Sequence, residues 1–176
     1  MDMIEALNGS VGDKASYLDY GYFGVLAADF DENGFSTGEY TPKLSYRALQ
    51  VFASVFREQY ELTELPVLFH PCHSDRVFGN DIGRRDVISG SFRKPGGSTA
   101  FAYWKPANLM TDTFDGTVTM EILAEGTPRL VDMLDGSVYE IPENMIENLK
   151  GGSRIFRNLP VRDYPLLLTF GDFVVF

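Results

Sequence analysis

The chain has 176 residues and a mass of 19.7 kDa, enough for one domain with a small additional element. A complete (β/α)8 barrel, which needs roughly 200 residues or more, is excluded. Fifteen basic residues stand against 25 acidic ones, and this net charge of −10 repels the phosphates of nucleic acids and anionic membranes, so we expect neither as a partner.

The composition favours a β-rich globular core. Hydrophobic residues make up 44% of the chain and aromatic residues 14%, and aromatic side chains favour strands. Cys72 is the only cysteine, which excludes an internal disulfide. Residues 1–14 are a polar leader without a signal-peptide pattern, and no apolar run is long enough to span a membrane. We therefore expect a soluble protein, cytoplasmic by default.

The first elements predicted along the chain are a strand, a turn and a helix. Tyr22–Ala27 has no alternating polar residues, which indicates a strand buried on both faces. Asp31–Gly34 is typical of a turn. Thr41-Pro42 has the residue types of a helix start, and Lys43–Glu58 has the spacing of an amphipathic helix with a broad apolar face.

From residue 65 to residue 176, short apolar segments recur every eight to twelve residues between turn-forming residues. An Asp-Gly hairpin turn is predicted within Leu134–Ser137, and a short helix within Pro142–Lys150. The predicted fold is mainly β: an antiparallel β-sandwich, jelly-roll-like, with one amphipathic α-helix near the N-terminus. The predicted strands are Pro66–Phe69, Val87–Arg93, Thr99–Lys105, Gly116–Leu123, Pro128–Met133, Ser137–Ile141, Arg154–Asn158, Pro165–Phe170 and Phe173–Phe176.

Several motifs in order carry a resemblance to a known family. They are Pro42-Lys43-Leu44-Ser45-Tyr46-Arg47-Ala48-Leu49, Ala102-Tyr103-Trp104, the stretch 130–139 (LVDMLDGSVY) and the stretch 159–166 (LPVRDYPL). Together they resemble the C-terminal region of a retaining (β/α)8-barrel glycoside hydrolase. The resemblance implies that residues 15–60 are the last strand and helix of a barrel and residues 65–176 its β-sandwich accessory domain.

The resemblance also implies what this chain lacks. Such enzymes cleave glycosidic bonds with two carboxylates about 5 Å apart. In the family these carboxylates lie on barrel strands upstream of the region that matches, so no catalytic residue is carried over. We expect a non-catalytic accessory domain with a structural or scaffolding role and no cofactor. Its partner would be the missing barrel or a second copy bound through residues 15–60.

A free-standing carbohydrate-binding module is the alternative function. Tyr103 and Trp104 lie in a predicted strand, and exposed aromatic rings can stack on the apolar faces of sugars, which would make a glycan the partner. In this predicted strand Phe101 and Tyr103 share one face, and Ala102 and Trp104 share the other. Aromatic residues of a sandwich are more often part of its core, and that interpretation is preferred for both.

The acidic turn also resembles the start of a calcium-binding loop. Asp29, Asp31 and Asn33 have the spacing of the first ligands, but Tyr40 stands where the closing glutamate belongs. A solvated turn is the simpler interpretation, and no metal site is predicted.

Metal-binding side chains are also close together at His70, Cys72, His73 and Asp75. Ligands this close in sequence cannot easily surround one ion, so a zinc site is not predicted. A small enzyme that uses His70, Cys72 or His73 is the third hypothesis, and a connecting loop is the simpler interpretation.

Overall fold

The structure is a computed structural model that describes residues 24–70, 76–77, 80–81, 87–106 and 116–174. The predicted polar leader and the first part of the predicted strand Tyr22–Ala27 lie outside these residues. The chain divides into two compact units, the first ending at Phe52 and the second beginning at Ala53. This division falls within the helix, and each unit is described by itself below.

The first unit contains an antiparallel hairpin of strands β1 (Leu26–Phe30) and β2 (Ser36–Pro42). The predicted turn between them is confirmed. The Oδ1 atom of Asp31 accepts hydrogen bonds from the backbone N–H groups of Asn33 and Phe35, each at 2.9 Å. Strand β2 was not predicted, because all its residues are exposed and the sequence therefore carries no apolar alternation there.

Helix α1 spans Leu44–Val55. The predicted helix start at Thr41-Pro42 is wrong, since these two residues pair with Ala27 and Leu26 at the end of strand β2. The residue types of a helix start were present, but the hydrogen-bonded ladder of the hairpin extends through them. The helix is amphipathic as predicted and ends at Val55, before the predicted end at Glu58.

The second unit is an antiparallel β-sandwich. One sheet has six strands in the order β11-β10-β14-β8-β7-β3, and the other has four in the order β12-β13-β9-β4. With one α-helix in the described residues, the predicted mainly β fold is confirmed. The strands are β3 (Glu61–Thr63), β4 (Val67–His70), β5 (Arg76–Val77), β6 (Asn80–Asp81), β7 (Ile88–Arg93), β8 (Thr99–Trp104), β9 (Gly116–Leu123), β10 (Pro128–Asp132), β11 (Val138–Glu140), β12 (Ile146–Asn148), β13 (Ser153–Val161) and β14 (Leu166–Phe170).

Two local predictions after residue 140 are wrong. The predicted helix Pro142–Lys150 is a single 3₁₀ turn, Glu143–Met145, followed by strand β12, because Ile146–Asn148 pair with strand β13. The tertiary pairing outweighs the weak local preference for a helix. Phe173 and Val174, predicted as a strand, form an irregular segment in which Phe173 is buried.

The predicted hairpin turn at Asp135-Gly136 is present between strands β10 and β11. The Oδ1 atom of Asp135 accepts a hydrogen bond from the N–H group of Ser137 at 2.8 Å. This backbone hydrogen bond lowers the pKa of the Asp135 carboxyl.

The main core lies between the inner faces of the two sheets. Phe156 from the four-stranded sheet and Phe170 from the six-stranded sheet meet with their ring centres 5.9 Å apart in an edge-to-face arrangement. Phe69 and Phe101 make a second contact between the sheets. The other large inner-face side chains that are almost fully buried are Tyr103, Met120, Ile122, Leu159, Val161 and Leu168.

The outer face of the six-stranded sheet is also buried at its centre. The strand registers place Ala100, Ala102, Val131, Leu167 and Thr169 on this face, and each is at most 8% exposed. A sandwich that stands alone in water carries polar residues on its outer faces. Other parts of the chain therefore cover the centre of this face.

The segment after helix α1 covers the β7 end of this outer face. Phe56 packs against Phe92 of strand β7 with the ring centres 5.0 Å apart, and against Phe173 at 6.3 Å. Lys94 lies over the Phe173 ring, and its Nζ atom is 3.1 Å from a carboxylate oxygen of Glu58. These aromatic contacts fix the residues that follow the helix onto the sheet.

Gly126 lies at a crowded corner of the sandwich. Its carbonyl oxygen accepts a hydrogen bond from Arg154 at 2.8 Å, and its backbone has a φ of +98°. A Cβ atom at this position would lie 2.6 Å from the backbone nitrogen of Gly171. Gly97, in the turn between β7 and β8, has a similar φ of +88° but open space around it.

We predict that Gly126→Ala destabilises the protein far more than Gly97→Ala. Both substitutions place a residue with a side chain in the left-handed region of φ and ψ. This lowers the free energy of unfolding by about 1 kcal/mol. Gly126→Ala adds a clash with backbone that cannot move freely, so we expect a total of about 3 kcal/mol or more. Urea unfolding measures both. Equal losses in the two variants would contradict the close approach of Gly126 and Gly171.

Candidate functional site

Tyr103, one of the two predicted carbohydrate-binding residues, lies in the core. Its side chain is fully buried on the inner face of strand β8, and its ring stacks on that of Phe101 with 6.1 Å between the ring centres. Its hydroxyl donates a hydrogen bond to the carbonyl oxygen of Pro160 at 2.9 Å, which joins the two sheets. Burial raises the pKa of this phenol far above its usual value. The ring therefore offers no face to a glycan in this structure.

Trp104, the other predicted residue, ends strand β8 on the outer face of the sheet and is partly exposed. Its neighbour across the ladder is Ile88, which is also exposed. The structure does not bring Tyr103 and Trp104 together, since their side chains lie on opposite faces.

The acidic turn has the geometry of a hairpin. Strands flank it on both sides, and Asp31 uses one carboxylate oxygen to hold the turn. The backbone carbonyl oxygen of Asp29 accepts a hydrogen bond from the Thr37 hydroxyl. In the part of the chain that the structure describes, no three histidine, cysteine or acidic side chains are grouped as metal ligands.

The second cluster of metal-binding side chains falls outside this part. His70 ends strand β4, but its side chain is not among the described features, and Cys72, His73 and Asp75 lie outside the described residues. The zinc and small-enzyme interpretations of these residues stay untested hypotheses.

The sequence did not predict an open cavity of about 430 Å³ at one end of the sandwich. We call it the end pocket. It is formed where strands β10 and β11, the 3₁₀ turn and the end of strand β13 meet. Its lining residues are Leu130, Asp132, Tyr139, Glu140, Ile141, Pro142, Met145, Leu159, Pro160, Arg162 and Leu166.

The end pocket joins two of the sequence motifs. The stretch 130–139 supplies one wall and the stretch 159–166 the other, and Tyr164 connects them by donating a hydrogen bond to the Oδ2 atom of Asp132 at 3.0 Å. The Oδ1 atom of Asp132 accepts a second hydrogen bond from the N–H group of Leu134. These two bonds fix the orientation of the Asp132 carboxylate at the edge of the pocket.

Tyr164 is partly buried, so this network is partly shielded from water. Burial raises the pKa of Tyr164 to about 12, and its hydrogen bond with Asp132 acts in the same direction. Arg162 lies close enough to both Tyr164 and Tyr103 to lower their pKa values in part. One acidic, one basic and one phenolic group therefore meet beside an apolar floor.

A larger cavity of about 750 Å³ lies at the corner that contains Gly126. It is lined by the turn 94–98 and by Glu58, Glu125 and Asp172, with Lys94 as the basic group. Lys94 pairs with Glu58 and lies over the Phe173 ring, so its charge already has partners within the chain. We therefore interpret this cavity as a structural feature.

No protein-family model and no curated protein matches the sequence. The structure describes no helix with the length and apolar character needed to cross a membrane.

We predict that Tyr103 makes the protein less stable in alkali. The unfolded chain loses the tyrosine proton near pH 10, whereas the folded chain keeps it on the buried phenol. Above pH 10 the folded state therefore binds more protons, and its stability falls as the pH rises, by about 1.4 kcal/mol per pH unit for this one group.

Urea unfolding from pH 9 to pH 11 tests this. Tyr103→Phe should lose about 1 kcal/mol near neutral pH, because the Pro160 carbonyl loses its donor, but its stability should fall less steeply above pH 10. Phe101→Leu perturbs the same part of the core without removing an ionisable group and is the control. An unchanged slope in Tyr103→Phe would show that the phenol is not buried.

Proposed function

We propose that this chain is a non-catalytic β-sandwich accessory domain that resembles the C-terminal part of a glycoside hydrolase and has a structural role. The observation that carries the proposal is the group of exposed apolar side chains on the first unit, which includes Leu49 and Phe52, each 54% exposed. Apolar side chains left open to water in this way mark a surface that packs against a partner.

The packing of the sequence motifs supports the same proposal. The stretches 130–139 and 159–166, which carry the resemblance, contact each other through Asp132 and Tyr164. Ala102 and Tyr103 of a third motif lie on opposite faces of strand β8, and both are buried. In each case the motif residues serve the packing of the sandwich, as expected if they were selected for structure.

The carboxylate at the end pocket has a structural role as well. Both oxygens of Asp132 accept hydrogen bonds from the protein itself, from Leu134 and Tyr164. A carboxylate held in this way stabilises the β10–β11 turn, and this agrees with a domain that performs no hydrolysis.

The exposed apolar side chains of the first unit support the proposal that this domain has a partner. Its helix exposes Leu44, Leu49 and Phe52, and the adjacent hairpin exposes Phe35, each by more than half of its surface. Exposed apolar side chains grouped on one small unit mark interaction surfaces. We propose that this surface contacts a barrel domain in a complete enzyme and a second copy of the chain when no barrel is present.

We predict that the purified chain hydrolyses no glycosides. With a panel of 4-nitrophenyl glycosides, assayed from pH 4 to pH 9, the protein should release 4-nitrophenol no faster than buffer alone does. Turnover that one Asp or Glu substitution abolishes, such as Asp132→Asn, would contradict the non-catalytic role. Turnover that survives Asp132→Asn, Glu140→Gln and every other single carboxylate substitution would point to a contaminating enzyme.

We also predict that the chain self-associates through its first unit. Light scattering coupled to size exclusion, at tens of micromolar, should give the mass of a dimer. Leu49→Lys combined with Phe52→Glu should give a monomer, because charged side chains resist burial at an interface. Leu62→Lys, at a residue of the second unit that is 78% exposed, is the matched control and should remain a dimer. A monomeric parent chain would overturn the prediction.

A further inference from the structure

The end pocket has the size and preformed floor of a small-molecule site. Pockets that bind small ligands begin at about 300 Å³, and this one measures about 430 Å³. Leu130, Leu159 and Leu166 form its floor and are each at most 6% exposed, because they belong to the main core. Core packing therefore keeps the floor in place without a ligand.

One edge of the pocket offers both hydrogen-bond donors and acceptors. Asp132 is oriented by Tyr164, and each of its carboxylate oxygens retains a second lone pair for an external donor. Arg162 lines the same pocket, and its guanidinium carries five N–H donors, one of which contacts the Val161 carbonyl oxygen at 3.4 Å. A hydroxyl group both donates and accepts, so this combination suits a ligand with several hydroxyl groups.

The charges at the pocket argue against an anionic ligand. Asp132 and Glu140 bring two carboxylates against the one guanidinium of Arg162, and the whole chain carries a net charge of −10. An anion would meet repulsion both at the pocket and on approach. A neutral ligand does not.

Tyr139 supplies an aromatic surface at the mouth of the pocket. It lies on strand β11 opposite Leu130, which places it on the inner side of the sheet, yet it is 52% exposed. A large aromatic side chain that is open to solvent beside an apolar floor can cover one face of a ring-shaped ligand.

We propose that the end pocket binds a neutral, hydroxylated ring compound of the pyranoside class. Its apolar ring face lies against Tyr139, and its hydroxyl groups contact Asp132 and Arg162. This proposal goes beyond the structural role and does not depend on it, because a packed accessory domain can carry such a site at its open end. In this site the aromatic contact with the ligand is made by Tyr139, and not by Tyr103 or Trp104.

Ligand-observed saturation-transfer NMR on the full chain tests the proposal. The probes are methyl β-D-glucopyranoside, methyl β-D-xylopyranoside and 4-nitrophenyl β-D-glucopyranoside, with benzoate as an anion of similar size. We expect saturable binding of at least one pyranoside and weaker or no binding of benzoate. No transfer to any pyranoside, or tighter binding of benzoate, would overturn the proposal.

Variants locate the binding. Tyr139→Ala should weaken pyranoside binding about tenfold, because the aromatic contact at the mouth of the pocket is lost. Val138→Ala changes the opposite face of the same strand and should leave binding unchanged. Met145→Trp should abolish binding by filling the pocket, and it gives an answer even if Tyr139→Ala fails to fold. Binding that survives in the folded variants would place the ligand elsewhere and refute the site, and this result is distinct from the glycosidase assay.

Discussion

The burial of the six-stranded sheet on both of its faces is the constraint on which the rest of the second unit depends. Strand β8 shows it best, since its residues from Thr99 to Tyr103 are all buried although they alternate between the two faces. The inner face packs on the four-stranded sheet, and the β7 end of the outer face is covered by Phe56. The side chains at the centre of the outer face are buried within the chain itself, so this face belongs to its packing, although most free sandwiches leave it wet.

The end pocket lies at the edge of the sheet where strand β11, of three residues, pairs with strand β10, of five. The Asp132–Tyr164 hydrogen bond joins the two stretches that form its walls. The same hydrogen bond that links the walls therefore makes one edge of the pocket polar.

The sequence predicted what depends on regular spacing and missed what depends on pairing. Short apolar segments between turn residues predicted the sandwich, and three-to-four spacing predicted the helix. Strand β2 could not be predicted because it is exposed on both faces. The residues of β12 have a local preference for a helix, and only their pairing with strand β13 makes them a strand. Tyr103 and Trp104 were assigned to opposite faces, but the sequence could not tell which face was inward because Ala100 and Ala102 make both apolar. The end pocket is assembled from segments that are distant in sequence, and no local motif marks such a site.

The first unit has a physical problem that the sandwich does not share. A two-stranded hairpin is marginally stable alone in water, and strand β2 contributes no buried residue. The helix beside it in sequence buries Val51 but leaves Leu49 and Phe52 more than half exposed. Burying these exposed side chains against a partner would contribute about 25 cal/mol per Å² of apolar surface. The exposed side chains that are a liability in water are therefore the ones that a partner surface would contact.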